Sequence, residues 1–249
     1  MRKCGLVSVS FRAKTPKEIV SAMRKCGLSC IEWGSDVHAP QTDKARLEEI
    51  RRLCVESGIS VSSYGTYFKI GANKTAELEE YIKAAKLLGT NILRLWCGTK
   101  GYGEYSPEEF KALICECREI AAVAKKSAVK VCMECHNGTV TDCKEGALAL
   151  MREVGSDSFR MYWQPNQYKT EEENLGYACL IAPYTEIIHV FNWSGEEKYP
   201  LKDAADIWKK YLACFADDIP LLLEFMPDGK IESLETEAKA LFGIAENTI

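Results

Sequence analysis

The sequence predicts an α/β fold, a single closed (β/α)8 barrel over residues 1–249. Eight short apolar or β-branched segments recur along the chain and alternate with amphipathic helical segments. Parallel neighbouring strands need a crossover connection, which such helices provide. Eight repeats within 249 residues favour a closed barrel over an open, doubly wound sheet.

The predicted strands lie at residues 4–11, 29–33, 59–64, 91–96, 129–134, 159–164, 186–191 and 220–225. Thr15, Ser106 and Thr170 each begin a helical capping box, with a glutamate three residues later. Glycines mark the expected helix ends at Gly27, Gly58, Gly89 and Gly155. The end of the first predicted strand and the residue after it, residues 9–12, lack the glycine-rich pattern of a dinucleotide-binding sheet, which also favours the barrel.

Composition describes a globular chain of one domain. Hydrophobic residues make up 47% of the sequence and charged residues 27%. A formal net charge of −4 argues against nucleic acid as a partner. The basic segment at residues 1–4 is followed by too few apolar residues for a signal peptide, and no apolar run is long enough to span a membrane. We therefore expect a cytoplasmic protein without membrane contact; a homo-oligomer is compatible with these features.

The chain has twelve cysteines, most of them placed singly in apolar segments, as at Cys26, Cys54, Cys115, Cys179 and Cys214. This placement predicts small buried thiols in a reducing compartment rather than disulfides. Cys132 and Cys135 form a CxxC pattern, but it lies in a predicted strand, where residues three apart point to opposite faces. We therefore expect neither a zinc site nor a redox pair there.

Rare polar residues fall at the carboxyl ends of the predicted strands. The three histidines of the chain all lie at or just beyond such an end, at His38, His136 and His189. Glutamates occupy the ends of three apolar strands, at Glu32, Glu134 and Glu224. A carboxylate closing an apolar run is costly in a core unless it is paired or bound to a cation. In a closed α/β barrel this end holds the active site.

Glu134, His189 and Glu224 come from strands five, seven and eight and should converge at one end of the barrel. Two carboxylates and one imidazole suit a divalent cation with open coordination positions. Each residue alone has an ordinary structural explanation, such as a salt bridge from a glutamate to Arg94 or Lys130. The coincidence of all three at one end favours a metal centre.

At these residues the sequence resembles a known family, the xylose isomerase-like TIM barrels of the sugar phosphate isomerase/epimerase superfamily. The resemblance runs from the first strand to Glu224 and is clearest in the segments IEWGSDVH at 31–38, ECHNGT at 134–139 and LE at 223–224. Members typically hold a divalent metal with Glu, Asp, His and Glu from strands five to eight. The resemblance implies one ion, manganese, magnesium, zinc or cobalt, at Glu134, Gln164, His189 and Glu224.

The sixth strand departs from the family pattern. Gln164 lies in the segment YWQPN at 162–166, where the family often has an Asp-Pro-Gly-Asn-like stretch. A glutamine can bind a cation through its carbonyl oxygen but brings no charge. His136, two residues beyond Glu134 and on the same face, is a candidate to compensate.

The resemblance also implies a reaction. In related epimerases two metal-bound glutamates flank a sugar carbon and exchange a proton, and here Glu134 and Glu224 take these roles. We expect a small carbohydrate substrate, with contact candidates His136, Arg94, Glu32, His38, Tyr64, Trp96 and Trp193. Lys69, Lys100 and Lys198 follow strands three, four and seven and are weaker candidates for binding a phosphate.

Three other functions stay open beside an isomerase or epimerase. The same proton abstraction can expel a β-substituent, which makes a keto-sugar lyase or dehydratase the nearest alternative. Gln164 leaves room for a degenerate barrel that binds a sugar without catalysis. An endonuclease IV-like DNA repair enzyme shares the barrel but needs three metals and a basic groove, and three histidines with a net charge of −4 argue against it.

Overall fold

Eight parallel strands close into a barrel in the computed structural model, which describes residues 2–246. We number them in chain order: β1 Cys4–Val7, β2 Cys30–Gly34, β3 Ser60–Ile70, β4 Ile92–Cys97, β5 Lys130–Glu134, β6 Phe159–Trp163, β7 Thr185–Val190 and β8 Leu221–Leu223. The helices are α1 Pro16–Cys26, α2 Lys44–Ser57, α3 Leu78–Leu88, α4 Pro107–Lys126, α5 Lys144–Val154, α6 Glu171–Ile181, α7 Ala205–Leu212 and α8 Leu234–Glu246. None of these helices is long and apolar enough to cross a membrane.

The strand order confirms the predicted barrel. Each strand pairs in parallel with its sequence neighbours, and β8 closes the ring against β1, where Leu6 lies opposite Leu223. The opposite edge of β1 pairs with β2, with Leu6 opposite Ile31. A ring of this kind has no free edge and places the carboxyl ends of all eight strands at one mouth.

Several strand ends differ from the predicted ones. β1 stops at Val7, and residues Ser8–Phe11 turn into a 3-10 helix. β3 continues to Ile70, through a register shift between Gly65 and Lys69. β8 stops at Leu223, so Glu224 lies just beyond the ladder, at the mouth of the barrel.

The helix signals in the sequence act as predicted. The Thr15 hydroxyl accepts a hydrogen bond from the Glu18 amide at 3.3 Å, and the Glu18 carboxylate accepts one from the Thr15 amide at 2.8 Å. Ser106 and Thr170 form the same reciprocal bonds at the start of α4 and α6. The four predicted glycines all adopt the left-handed conformation at helix ends, Gly27, Gly58, Gly89 and Gly155.

Side chains alternate between two buried regions. The larger one lies between strands and helices, and the smaller one fills the inside of the barrel with Val7, Val9, Cys30, Cys132, Tyr162, Ile187 and Leu222. Cys132 belongs to the inner region and Cys135 to the outer one, which confirms that the CxxC pair faces opposite sides. Nearer the mouth, the buried side chains turn polar, with Glu32, Arg94, Glu134 and His189.

The cysteines depart from the expectation at three places. Cys179 in α6 and Cys214, just after α7, form a disulfide, because the two helices are neighbours in the outer ring. Cys115 is exposed on α4, and Cys26 is half-buried at the end of α1. The free thiol of Cys54 is buried, as predicted.

Barrel closure generates a stability prediction at Gly5 in β1. A Cβ atom at this position would lie 2.1 Å from the Cys30 carbonyl oxygen and 2.7 Å from Leu222. We expect Gly5→Ala to lower the free energy of unfolding by about 3 kcal/mol or more, since two strands must move apart. Chemical denaturation measures this loss. Gly103→Ala is the matched control, since a Cβ there meets no atom within 4 Å; an equal loss in both variants would contradict the argument.

Candidate metal centre and active site

A cavity of about 270 Å³ opens at the carboxyl ends of the strands. Its lining includes seven of the residues singled out from the sequence: Arg94, Trp96, Glu134, His136, Gln164, Trp193 and Glu224. These residues come from β4, from the ends of β5, β6 and β8, and from the short hairpin Trp193–Ser194 and Glu197–Lys198 after β7. The barrel therefore gathers residues that lie up to 130 positions apart in the sequence, between Arg94 and Glu224.

Glu134, His189 and Glu224 form a triad beside this cavity. The His189 Nδ1 atom lies 3.4 Å from Glu134 Oε1 and 3.6 Å from Glu224 Oε2. One donor atom of each residue lies within 4.8 Å of the other two, a spacing at which all three can reach one ion. His189 and Glu134 are buried, and Glu224 is nearly so.

Gln164 follows β6 and directs its carbonyl oxygen at the same triad. Its Oε1 atom lies 3.1 Å from His189 Nδ1. Its amide nitrogen donates a hydrogen bond to the Cys135 carbonyl at 3.0 Å, which fixes the orientation of the side chain. Gln164 thus presents the oxygen that a cation needs, although it adds no charge.

Arg94 lies between two carboxylates inside the barrel. Its Nε atom donates to Glu32 Oε1 at 3.0 Å, and its Nη1 atom donates to Glu134 Oε2. Ser63 donates to the other oxygen of Glu32 at 3.0 Å. Gly65 on β3 makes room for this pair, since a Cβ there would lie 2.4 Å from Glu32 Oε1. The ion pairs are buried, with 5% or less of each side chain exposed.

The neighbouring charges shift the pKa values of the triad in different directions. Burial would raise the pKa of Glu134, but the Arg94 guanidinium and His189 hold it below its ordinary range. Burial would lower the pKa of His189, but the Glu224 and Glu32 carboxylates raise it to about 10. Burial raises the pKa of Glu224 to about 7 against the opposing effect of His189. Environments that separate the pKa values of two carboxyl groups favour different acid–base roles for them.

The donor set fits a divalent cation by its charge. With the imidazole neutral and all three carboxyl groups ionised, Glu32, Glu134 and Glu224 together with the Arg94 guanidinium carry a net charge of −2. Buried charge of this size needs a counter-charge. A proton on His189 supplies part of it, and a cation bound to the neutral imidazole would displace that proton.

Aromatic rings line two sides of the cavity. Trp96 on β4 packs against His136 with ring centroids 4.8 Å apart. Trp193 packs against Phe191 at 4.9 Å and against Phe225 at 5.3 Å. β4 and β8 lie on opposite sides of the eight-stranded ring, so a ligand in the cavity has an apolar surface on either side.

Three of the predicted substrate contacts do not line the cavity. The His38 ring is buried between the Ser8 hydroxyl at 3.2 Å and the Lys14 carbonyl at 3.1 Å. The Tyr64 side chain belongs to the outer core and donates to the Ala39 carbonyl at 2.6 Å. Both side chains fix the loop after β2. Glu32 lies inside the barrel, below the cavity lining, where its carboxylate contacts Arg94 and His189.

The candidate phosphate lysines have other contacts. Lys100 forms a salt bridge with Glu109 at 2.8 Å. The Lys69 ammonium lies 5.4 Å from the Trp96 ring centre, and the Lys198 ammonium lies 5.0 Å from that of Trp193. The last two therefore lie near the aromatic sides of the cavity.

A polar network at the cavity includes residues that were not predicted from the sequence. Arg12 lines the cavity and donates to Asp36 Oδ2 and to the Tyr67 hydroxyl, both at 2.8 Å. Arg12 could have been identified from its position directly after the first predicted strand. Phe225 also lines the cavity and has a φ of 55°, rare for a bulky residue, with its amide bonded to the Ser10 hydroxyl at 2.9 Å. Nothing in the sequence marks that conformation.

Residues 20–197 match the family model described as xylose isomerase-like TIM barrel. No curated protein matches the chain in sequence.

Solved structures of low sequence identity share the fold. The probable 3-DHS dehydratase AsbF of Bacillus anthracis superposes with a TM-score of 0.78 at 17% identity, covering 97% of this chain and 99% of its own. An L-ribulose 3-epimerase superposes with a TM-score of 0.72 at 16% identity, covering 100% of this chain and 95% of its own. A xylose isomerase-like TIM barrel protein from Mycobacterium smegmatis, in complex with magnesium, superposes with a TM-score of 0.70 at 14% identity, covering 96% of this chain and 91% of its own.

The buried ion pairs generate a second stability prediction. Arg94→Met removes the guanidinium that pairs with the buried carboxylates of Glu32 and Glu134, and we expect it to lower the free energy of unfolding by about 3–5 kcal/mol. Arg118→Met is the control, because the Arg118 salt bridge to Glu153 is more than half exposed and should contribute far less. Denaturant titrations at neutral pH measure both changes. An Arg94→Met variant as stable as the control variant would show that the guanidinium does not stabilise these carboxylates.

Proposed function

The chain belongs to the xylose isomerase-like TIM barrel family, and we propose that it is a divalent-metal-dependent isomerase or epimerase of a small sugar or sugar phosphate. The observation that carries this proposal is the convergence of Glu134, His189 and Glu224, with donor atoms within 4.8 Å, beside a cavity of about 270 Å³. A cavity of this size suits a substrate smaller than a drug-sized ligand.

Glu134, His189 and Glu224 would hold the cation, with the Gln164 carbonyl oxygen as the fourth donor. Oxygen and imidazole donors are compatible with manganese, magnesium, zinc or cobalt. The bound cation would polarise a substrate carbonyl and stabilise negative charge on its oxygen. Magnesium in the related Mycobacterium smegmatis protein supports a hard divalent ion here.

The two glutamates of the triad would transfer the proton. Glu134 and Glu224 approach the cavity from β5 and β8, three strands apart in the ring, so a substrate carbon can lie between them. One carboxylate removes the proton next to the carbonyl, and the other carboxyl group returns one. His136 and the rings of Trp96 and Trp193 would hold the substrate body.

A keto-sugar dehydratase is the second candidate. It begins with the same proton abstraction and differs only in expelling a hydroxyl group from the adjacent carbon. The structural similarity to the probable 3-DHS dehydratase, which covers 97% of this chain, supports this second candidate. A mass spectrum of the product separates the two, because an isomer keeps the mass of the substrate and a dehydration product loses water.

The metal proposal predicts one bound divalent ion per chain, measured by calorimetry and by elemental analysis of the purified protein. Gln164→Asp adds a negative donor at the fourth position, and we expect it to tighten binding by about tenfold or more. His189→Gln should weaken it. Protein that stays empty after incubation with manganese, magnesium, zinc and cobalt in turn would favour a non-catalytic, sugar-binding barrel.

The catalytic proposal predicts that Glu224→Gln lowers turnover by roughly 10²–10⁴-fold, because an amide cannot accept the proton. Wild-type protein should incorporate solvent deuterium into its substrate when keto-sugars are screened in heavy water, whereas Glu224→Gln and Glu134→Gln should not. Bound metal is measured alongside, at saturating concentration, because the substitution also removes a ligand charge.

Glu186→Gln is the matched control for this experiment. Glu186 is near the amino end of β7, pairs with Lys130 and Arg160, and is similarly buried, but lies at the other end of the barrel. The Glu186→Gln variant should incorporate solvent deuterium into the substrate at the wild-type rate. Near-normal exchange by Glu224→Gln at full metal occupancy would show that the two-glutamate mechanism is wrong, and His136 would be the next base to test.

A further inference from the structure

Trp96 contacts the metal centre through its indole nitrogen as well as lining the cavity with its ring. The Nε1 atom donates a hydrogen bond to Glu134 Oε2. We propose that Trp96 is a positioning residue, which fixes the Glu134 carboxylate so that only Oε1 is presented to the cation. This inference rests on the proposed metal-dependent function and assigns a role within its site.

The two oxygens of Glu134 have different surroundings. Oε2 accepts hydrogen bonds from both Arg94 Nη1 and Trp96 Nε1. Oε1 faces His189 Nδ1 at 3.4 Å and accepts no hydrogen bond from an arginine or a tryptophan among the described residues. Two donors from β4, two residues apart, meet at this one oxygen and fix the rotation of the carboxylate plane. The other oxygen, Oε1, is the one that faces His189.

The indole itself is held in place by its neighbours. Its ring packs against His136 at 4.8 Å and Tyr67 at 5.3 Å between centroids. The Arg94 guanidinium and the Lys69 ammonium lie 5.7 Å and 5.4 Å from the ring centre. These contacts constrain the ring, and with it the direction of its N–H group, before any ligand enters the cavity.

An uncharged donor suits this position better than a second cation. Arg94 already neutralises one of the three buried carboxylates. A lysine or arginine at position 96 would cancel a further negative charge and remove part of the attraction for a divalent ion. The indole N–H orients Glu134 and leaves the net charge of the centre unchanged.

Trp96→Phe tests the proposal, because it keeps an aromatic ring and removes the N–H group. We expect the affinity for Mn²⁺ to fall by about 10–100-fold, the usual effect of losing a partner of a metal ligand. Turnover at saturating metal should fall more than KM rises. A residue that only contacts substrate would instead raise KM and leave the Mn²⁺ affinity at its wild-type value, and this result would overturn the proposal.

Trp193→Phe is the matched control for metal affinity. It removes an indole N–H from another side of the same cavity, but that N–H has no hydrogen-bond partner within residues 2–246. The Mn²⁺ affinity of this variant should equal that of the wild type. An equal loss in both variants would mean that any tryptophan at the cavity supports binding, and the specific role of Trp96 would be wrong.

An NMR measurement tests the hydrogen bond without metal or substrate. The chain has five tryptophans, and among the described residues only the Trp96 and Trp208 indoles have an oxygen partner, of which only that of Trp96 is a carboxylate. The indole N–H proton resonance of Trp96 is assigned by its absence in Trp96→Phe. It should lie downfield of the other indole N–H resonances and move upfield in Glu134→Gln. An unmoved resonance would overturn the proposal. Wild-type protein that binds no metal would instead contradict the proposed function, while this measurement still decides the hydrogen bond.

Discussion

The Arg94 guanidinium lies between the carboxylates of Glu32 and Glu134 inside the barrel, and the site above it depends on this arrangement. Taking a carboxylate out of water is unfavourable by several kcal/mol unless a charge or strong hydrogen bonds compensate it. Arg94 supplies that compensation from the strand next to Glu134. Because Glu134 is thereby kept ionised and fixed, His189 and Glu224 can complete a cluster that still carries excess negative charge.

Much of the fold could be predicted because its signals are local. The capping box at Thr15 and the glycine at position 27 define α1 through contacts within a few residues. The placement of the candidate metal ligands could be predicted for a different reason. Glu134, His189 and Glu224 stand at the ends of apolar strands, and parallel strands in a closed barrel bring such ends together whatever their separation in sequence.

What the sequence could not reveal depends on contacts made only after folding. His38 follows a strand as a site residue should, but its ring turns to the Ser8 hydroxyl and the Lys14 carbonyl and secures a loop. Tyr64 lies on the face of β3 that packs against helices. The disulfide between Cys179 and Cys214 follows from the packing of α6 beside α7, which residue spacing does not indicate.

The ion pair at Arg94 also restricts how this sequence can diverge. Replacing any one of Glu32, Arg94 and Glu134 breaks at least one buried ion pair, and a side chain at Gly65 would occupy the space that Glu32 uses. Single-step changes at these four positions therefore pass through destabilised intermediates. In an alignment of descendants they should be inherited as one unit, retained together or exchanged together, whereas the cavity rim is free to vary and to change specificity.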